Sequence, residues 1–164
     1  TTTVTRAADI ASISGSNFSS WYRQDEGTLF AEFGPYGNAG GSKNLGVIQI
    51  DNGSDANTIR MFCGASISPA FQVRDSSVSQ TYISIGTLTP SVTSKMSGTY
   101  KVNDFARAVN GSNLLTDNSG TVPTVTQMLI GTGSAGVIEL SGTIRRLTYW
   151  PTRLSNSTLQ SLTR

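Results

Sequence analysis

Gly98-Thr99-Tyr100-Lys101-Val102-Asn103-Asp104-Phe105-Ala106-Arg107-Ala108-Val109-Asn110-Gly111 is the stretch from which the fold can be read. Residues 99–102 have a strand composition. Asn103-Asp104 is a turn pair, because both side chains can bond nearby backbone and tolerate left-handed geometry. Residues 105–109 alternate large and small, which puts Phe105, Arg107 and Val109 on one face and Ala106 and Ala108 on the other. Asn110-Gly111 supplies the two positive φ angles of a type I′ hairpin turn. Strand, turn, strand, turn is a β-meander, expected near the middle of an antiparallel sandwich.

The same signals continue on both sides. Upstream, residues 28–33, 45–50, 57–63, 70–74 and 81–85 read as short alternating strands. Asp51-Asn52-Gly53-Ser54 makes a hairpin of the second and third of these. In that hairpin Ile59 and Met61 oppose Arg60 and Phe62. In the next strand Phe71 and Val73 oppose Gln72 and Arg74. Residues 4–13 read as an edge strand, 14–17 as a turn cluster, 34–41 as a Gly-rich loop and 88–97 as a loose connection. Downstream, residues 116–126 are a polar stretch and 127–130 a short strand. Residues 137–150 are the longest strand-like run, with Gly142 a bulge or close approach. Pro151 ends it, and residues 153–162 read as a short helix capped by Ser155, with Leu159 and Leu162 at i, i+3. Ten to twelve short strands, one terminal helix and no repeat describe an all-β sandwich or barrel.

Composition agrees. The 164 residues are enough for one domain with a real core. They are 37% hydrophobic and only 13% charged, about half the usual charged fraction, with Ser and Thr in its place. The net charge of +2 comes from scattered Lys and Arg, of which only Arg145 and Arg146 adjoin. A nucleic-acid footprint needs a basic stripe, so nucleic acid is not an expected partner. One cysteine, Cys63, permits no intrachain disulfide, which suits synthesis in a reducing cytoplasm; a buried, inert thiol is the default for it. No apolar run approaches the ~20 residues of a membrane span, so no membrane insertion is expected. The start lacks Met, and the expectation is a single domain over residues 1–164, with residues 1–5 a linker, forming the C-terminal part of a longer chain.

The absence of histidine removes Ser-His-Asp and Cys-His catalysis and His-ligated zinc together. No phosphate-binding Gly-rich loop is present. A two-carboxylate glycosidase is the enzyme option left. None of the ten acids repeats at i, i+2 along a strand, so solvated or structural roles are the better assignment and no catalytic residue is assigned. Asp51 to Asp55 offers oxygen ligands in a tight loop, but a plain Asx turn explains the same residues. No cofactor is expected, calcium at that loop being the one ion to consider.

Two segments resemble a known family. The meander, with Tyr100-Lys101, Asn103-Asp104-Phe105 and Val109-Asn110-Gly111, is similar to a hairpin of concanavalin A-like lectin/glucanase domains of the laminin-G-like branch. The run Gly142-Thr143-Ile144-Arg145-Arg146-Leu147-Thr148-Tyr149-Trp150-Pro151-Thr152-Arg153-Leu154-Ser155, followed by Leu159 and Leu162, resembles their closing strand and helix. Ser20-Trp21-Tyr22 and Glu26-Gly27-Thr28-Leu29-Phe30 look like the early strand of versions found in phage structural proteins. The resemblance spans about residues 18–162. It implies a jelly-roll sandwich of two antiparallel sheets with a short C-terminal helix. It also implies a binding role, most often toward carbohydrate, in a virion tail or capsid appendage made in the bacterial host cytoplasm. Catalytic members use a Glu-x-Asp-x-Glu strand that this chain lacks.

Sugar recognition wants exposed aromatics beside amides and charged groups. The candidates are Trp21, Tyr36, Asn38, Arg74, Asn103, Asp104 and Arg107, with Tyr22, Tyr149 and Trp150 as further aromatics. Tyr36 is the most pointed, a large ring in a Gly-rich loop. Phe105 and Val109 read as core. One stacked sugar face hides ~60 Å² of apolar area, worth roughly 1.5 kcal/mol, whereas millimolar affinity needs about 4 kcal/mol. Hydrogen bonds or avidity must supply the rest. The expected function is therefore a non-catalytic, lectin-like domain that attaches a virion to cell-surface or mucus glycans. Its partners would be glycans and other virion structural proteins, and a homo-oligomer is compatible with it. The alternatives are a structural decoration or oligomerisation module and, third, a divergent glycan hydrolase.

Overall fold

The structure is a computed structural model that describes residues 10–37, 44–64, 66–133 and 137–164. Twelve strands and two helices follow one another along the described chain: β1 (Ala11–Ser14), α1 (Ser16–Ser19), β2 (Glu26–Pro35), β3 (Asn44–Asp51), β4 (Thr58–Cys63), β5 (Pro69–Asp75), β6 (Val78–Ser84), β7 (Ser94–Lys101), β8 (Phe105–Val109), β9 (Ser112–Asp117), β10 (Gln127–Ile130), β11 (Val137–Ile138), β12 (Gly142–Trp150) and α2 (Asn156–Leu162). They form two sheets. The larger runs β1-β10-β3-β4-β5-β6, with the two-residue β11 added to β3 as a parallel pair. The smaller runs β12-β2-β7-β8-β9 and is antiparallel throughout. This is a jelly-roll sandwich, as the strand pattern and the resemblance imply.

The meander lies where its alternation predicts. β7 and β8 are interior strands of the smaller sheet, and β9 is its edge. Asn110 (φ 49°) and Gly111 (φ 72°) make the left-handed turn between β8 and β9, the geometry that an Asn-Gly pair adopts at least cost. Phe105 and Val109 face the inter-sheet core with Leu29, Phe33, Ile50, Ile59, Met61, Phe71 and Met96. The opposite face of β8 is buried too. Ala106 and Ala108 pack under Leu159 of α2, with Leu154 beside it. Two small residues leave room for a helix to lie on the sheet, and the Ser155 hydroxyl caps that helix by accepting from Thr158 N at 3.2 Å.

Several elements differ from the sequence expectation. Of the edge strand expected over residues 4–13, residues 1–9 lie outside the described chain, and the observed strand is β1. The turn cluster before Phe18 is one helical turn, α1, which folds Phe18 into the core. The loose connection before the meander ends early, because β7 starts at Ser94, where it pairs with Phe33 of β2. Ser112 to Asp117 is a strand, β9, drawn into the sheet by pairing with β8. The long closing run divides between sheets: β11 joins β3, whereas β12 joins β2. The close approach expected at Gly142 is real, since a Cβ there would overlap the backbone of Gly34 and Pro35.

Candidate functional site

The outward face of the larger sheet carries polar side chains across its central strands, with Leu129 and Phe62 among them. Ile48 and Ile50, Ile59 and Met61, and Phe71 and Val73 point into the core. The pleat therefore turns Gln49, Arg60 and Gln72 outward. Register aligns them. Ser12 pairs with Leu129, Leu129 with Gln49, Gln49 with Arg60, Arg60 with Gln72, and Gln72 with Tyr82. One row of side chains thus crosses all six strands. A second row beside it runs Ser14, Gln127, Asp51, Thr58 and Arg74.

Within these rows the polar atoms are already organised. Arg60 Nε and Nη2 donate to Gln72 Oε1 at 3.0 and 2.7 Å, and Arg60 Nη1 donates to Asp55 Oδ1 at 2.7 Å. Arg74 Nη1 forms an ion pair with the other oxygen of Asp55, and Arg74 Nη2 donates to Ser77 O at 3.1 Å. Gln72 Nε2 donates to Ser79 Oγ at 3.3 Å. Asp51, fully buried, accepts from Gln49 Nε2 at 2.6 Å, Gln127 Nε2 at 2.7 Å and Gly53 N at 2.8 Å. The last of these bonds is the expected Asx turn. Arg60 lies over the Phe62 ring, 5.1 Å from its centroid, and Phe62 meets Tyr82 at 6.0 Å. Burial lowers the Arg60 pKa, with the Asp55 carboxylate opposing that shift. Arg60 is 6% exposed and Tyr82 is 55% exposed, so the row runs from a sheltered centre to an open aromatic edge.

The residues singled out from sequence do not converge. Arg74 belongs to the polar face. Trp21 does not; it lines an apolar cleft of about 640 Å³ between the sheet edges, with Ile13, Leu29, Met128, Leu147 and Tyr149. Its indole Nε1 donates to Asn17 O at 2.6 Å, and its ring meets Phe18 and Tyr149, each at 5.1 Å. Tyr36 is 58% exposed at the end of β2, its N–H bonded to Ser141 O. Asn38 lies outside the described residues. Asn103 takes φ 58° in the meander turn, where its Oδ1 accepts from Gly120 N at 3.0 Å. Asp104 pairs with Arg153 at 2.7 Å.

Arg107 departs furthest from expectation. It is fully buried and donates to the carbonyls of Pro69 and Ile85, so it ties the start of β5 to the chain just after β6 instead of meeting a ligand. Burial with no carboxylate partner lowers its pKa from 12.5 to about 10. Sequence reasoning missed Gln49, Asp55, Arg60, Gln72 and Tyr82 as a group. Alternation put Arg60 and Gln72 on outward faces, but only strand register puts them in one row.

Known structures share this architecture. The CBM40 module of the Ruminococcus gnavus IT-sialidase, solved with alpha2,3 sialyllactose, superposes with a TM-score of 0.69 at 13% identity, covering 87% of this chain and 84% of that one. The fold is a concanavalin A-like jelly-roll. A SAP-like pentraxin from Limulus polyphemus matches with a TM-score of 0.61 at 14% identity, over 82% of this chain and 68% of that one. The NanB sialidase from Streptococcus pneumoniae matches with a TM-score of 0.70 at 13% identity, over 94% of this chain but only 27% of the sialidase. No protein-family model matches the chain, and no curated protein matches it by sequence.

Proposed function

We propose that the chain is a non-catalytic glycan-binding module whose ligand lies across the outer face of the larger sheet. The carrying observation is the end of the row, where the buried Gln49, Arg60 and Gln72 lead to the exposed Tyr82 ring with the partly exposed Arg74 guanidinium beside them. Sugars need that combination: directional donors and acceptors for hydroxyls, and an aromatic surface for the C–H face. Carbohydrate-binding modules among the structures of like fold support the same reading. The two acids of the face argue for binding without chemistry. Asp51 is fully buried within its hydrogen bonds and Asp55 bridges two arginines, so both acids serve the structure of the face.

The test is a glycan array probed with the chain displayed in many copies. Binding should be lost or fall about tenfold in Arg74→Ala and in Tyr82→Ala. Undiminished binding by both variants would move the ligand off this face. We further place the module on a phage tail or capsid appendage, holding the virion to cell-surface or mucus glycans. The support is the resemblance of residues 20–30 to the early strand of phage structural proteins. Antibody labelling of purified virions tests it, and unlabelled particles would reject it. The apolar cleft between β1 and β12 favours a second reading, a decoration or oligomerisation module. That reading predicts a stable oligomer by light scattering, and a monodisperse monomer would reject it.

A further inference from the structure

We propose that this face selects uncharged glycans, and that Asp55 is the residue that imposes the selection. The inference rests on the glycan reading above and specifies its ligand class. Among the described residues, the charged groups of the two rows and the turn beside them are Arg60 and Arg74 on one side and Asp51 and Asp55 on the other. They cancel. The cancellation is also local, because Asp55 reaches over from the turn between β3 and β4 and binds one guanidinium with each carboxylate oxygen.

Asp55 thus stands where an acidic sugar would place its own carboxylate. Such a ligand would have to break both ion pairs and leave Asp55 partly buried without a partner, or sit beside a like charge; each is unfavourable. A neutral sugar meets no such obstacle. Arg60 commits Nε, Nη1 and Nη2 to Gln72 and Asp55, and Arg74 commits Nη1 and Nη2 to Asp55 and Ser77 O. The remaining hydrogens of the partly exposed Arg74 guanidinium can donate to hydroxyl oxygens without any need for a counter-charge. The open Tyr82 ring at the end of the row offers the apolar surface on which an uncharged pyranose face can stack.

The experiment compares matched glycans, each neutral structure with its sialylated or uronic-acid counterpart, against wild type, Asp55→Asn and Asp55→Glu on one multivalent scaffold. Wild type should prefer the neutral member of each pair, with affinity changing less than about twofold as salt is raised. Asp55→Asn should bind acidic members about tenfold tighter than wild type does and gain salt dependence. Asp55→Glu should keep the neutral preference. Wild-type preference for acidic glycans overturns the inference while leaving the glycan reading intact. So does an Asp55→Asn protein, folded by thermal melt, whose acidic-to-neutral ratio is unchanged. Should Asp55→Asn fail to fold, the wild-type ratio decides alone. No binding of either class by any of the proteins rejects the glycan reading and this inference with it.

Discussion

Cys63 and the tyrosines set the alkaline limit of stability. Cys63 is buried, and desolvation pushes its thiol from 9.0 up to about 12. Burial raises Tyr22, Tyr100 and Tyr149 as well. Each folded group holds its proton more tightly than the unfolded chain does. Its contribution is therefore fully present below the unfolded pKa and is lost as pH rises through the folded one. Arg107 has the opposite sign. With its folded pKa lowered to about 10, the unfolded chain binds more protons above that pH, so it gains stability there. Arg60, whose pKa burial also lowers, and Arg107 act against a thiol and three phenols, so urea midpoints should hold near neutrality and fall steadily above pH ~9. Cys63→Ala should flatten the first part of that fall. A midpoint that rises above pH ~10 would mean that the two buried arginines dominate. The chain has no histidine to add a transition between. The inert character of Cys63 was readable from its neighbours in an alternating strand. The burial of Arg107 was half readable: its face was assigned with Phe105 and Val109, yet charge argued for the surface.

Gly142 opens β12 and pairs with Pro35 at the end of β2. A Cβ there would overlap Gly34 O, and backbone on that side cannot give way as a side chain could. Gly142→Ala should cost about 2 kcal/mol or more, which lowers Tm by roughly 5 °C for a domain of this size. An unchanged melting curve would show that the strand ends can separate freely. Elements with strong local signals were legible. β8, its Asn-Gly turn, the β3–β4 hairpin and the capped helix α2 follow from alternation and turn chemistry. β9 and the single turn of α1 were not, since Ser-Asn-Leu-Leu-Thr-Asp and Ser-Asn-Phe-Ser carry little intrinsic preference. Pairing with β8 and burial of Phe18 decide those two.

At the scale of the whole molecule the proposed binding face is largely pre-bonded, so each site should be weak. A single copy on a soluble glycan should bind no better than about millimolar, and multivalent display should raise apparent affinity by ~10²–10⁴. Equal affinities for monomer and array by titration would contradict a shallow, repeated site. A sheet face suits this mode because its rows are fixed by backbone pairing rather than by loops, and little ordering remains to be done on binding.

The sequence by itself determined that this is an all-β sandwich or barrel, that residues 99–109 form two strands joined by a tight turn, and which residues share a face in the clearly alternating strands. Those are consequences of the two-residue strand period and of turn chemistry, both local. It also excluded histidine-based catalysis by composition alone. Tertiary structure decided which strands are neighbours and in what register. It therefore decided that Gln49, Arg60, Gln72 and Tyr82 form one row, that Asp55 closes on Arg60 and Arg74, and that Trp21, Tyr36, Asn103 and Asp104 lie apart. The physical reason is that a strand specifies its own two faces but not its partners. Residues from four strands become one surface only when long-range pairing brings them together.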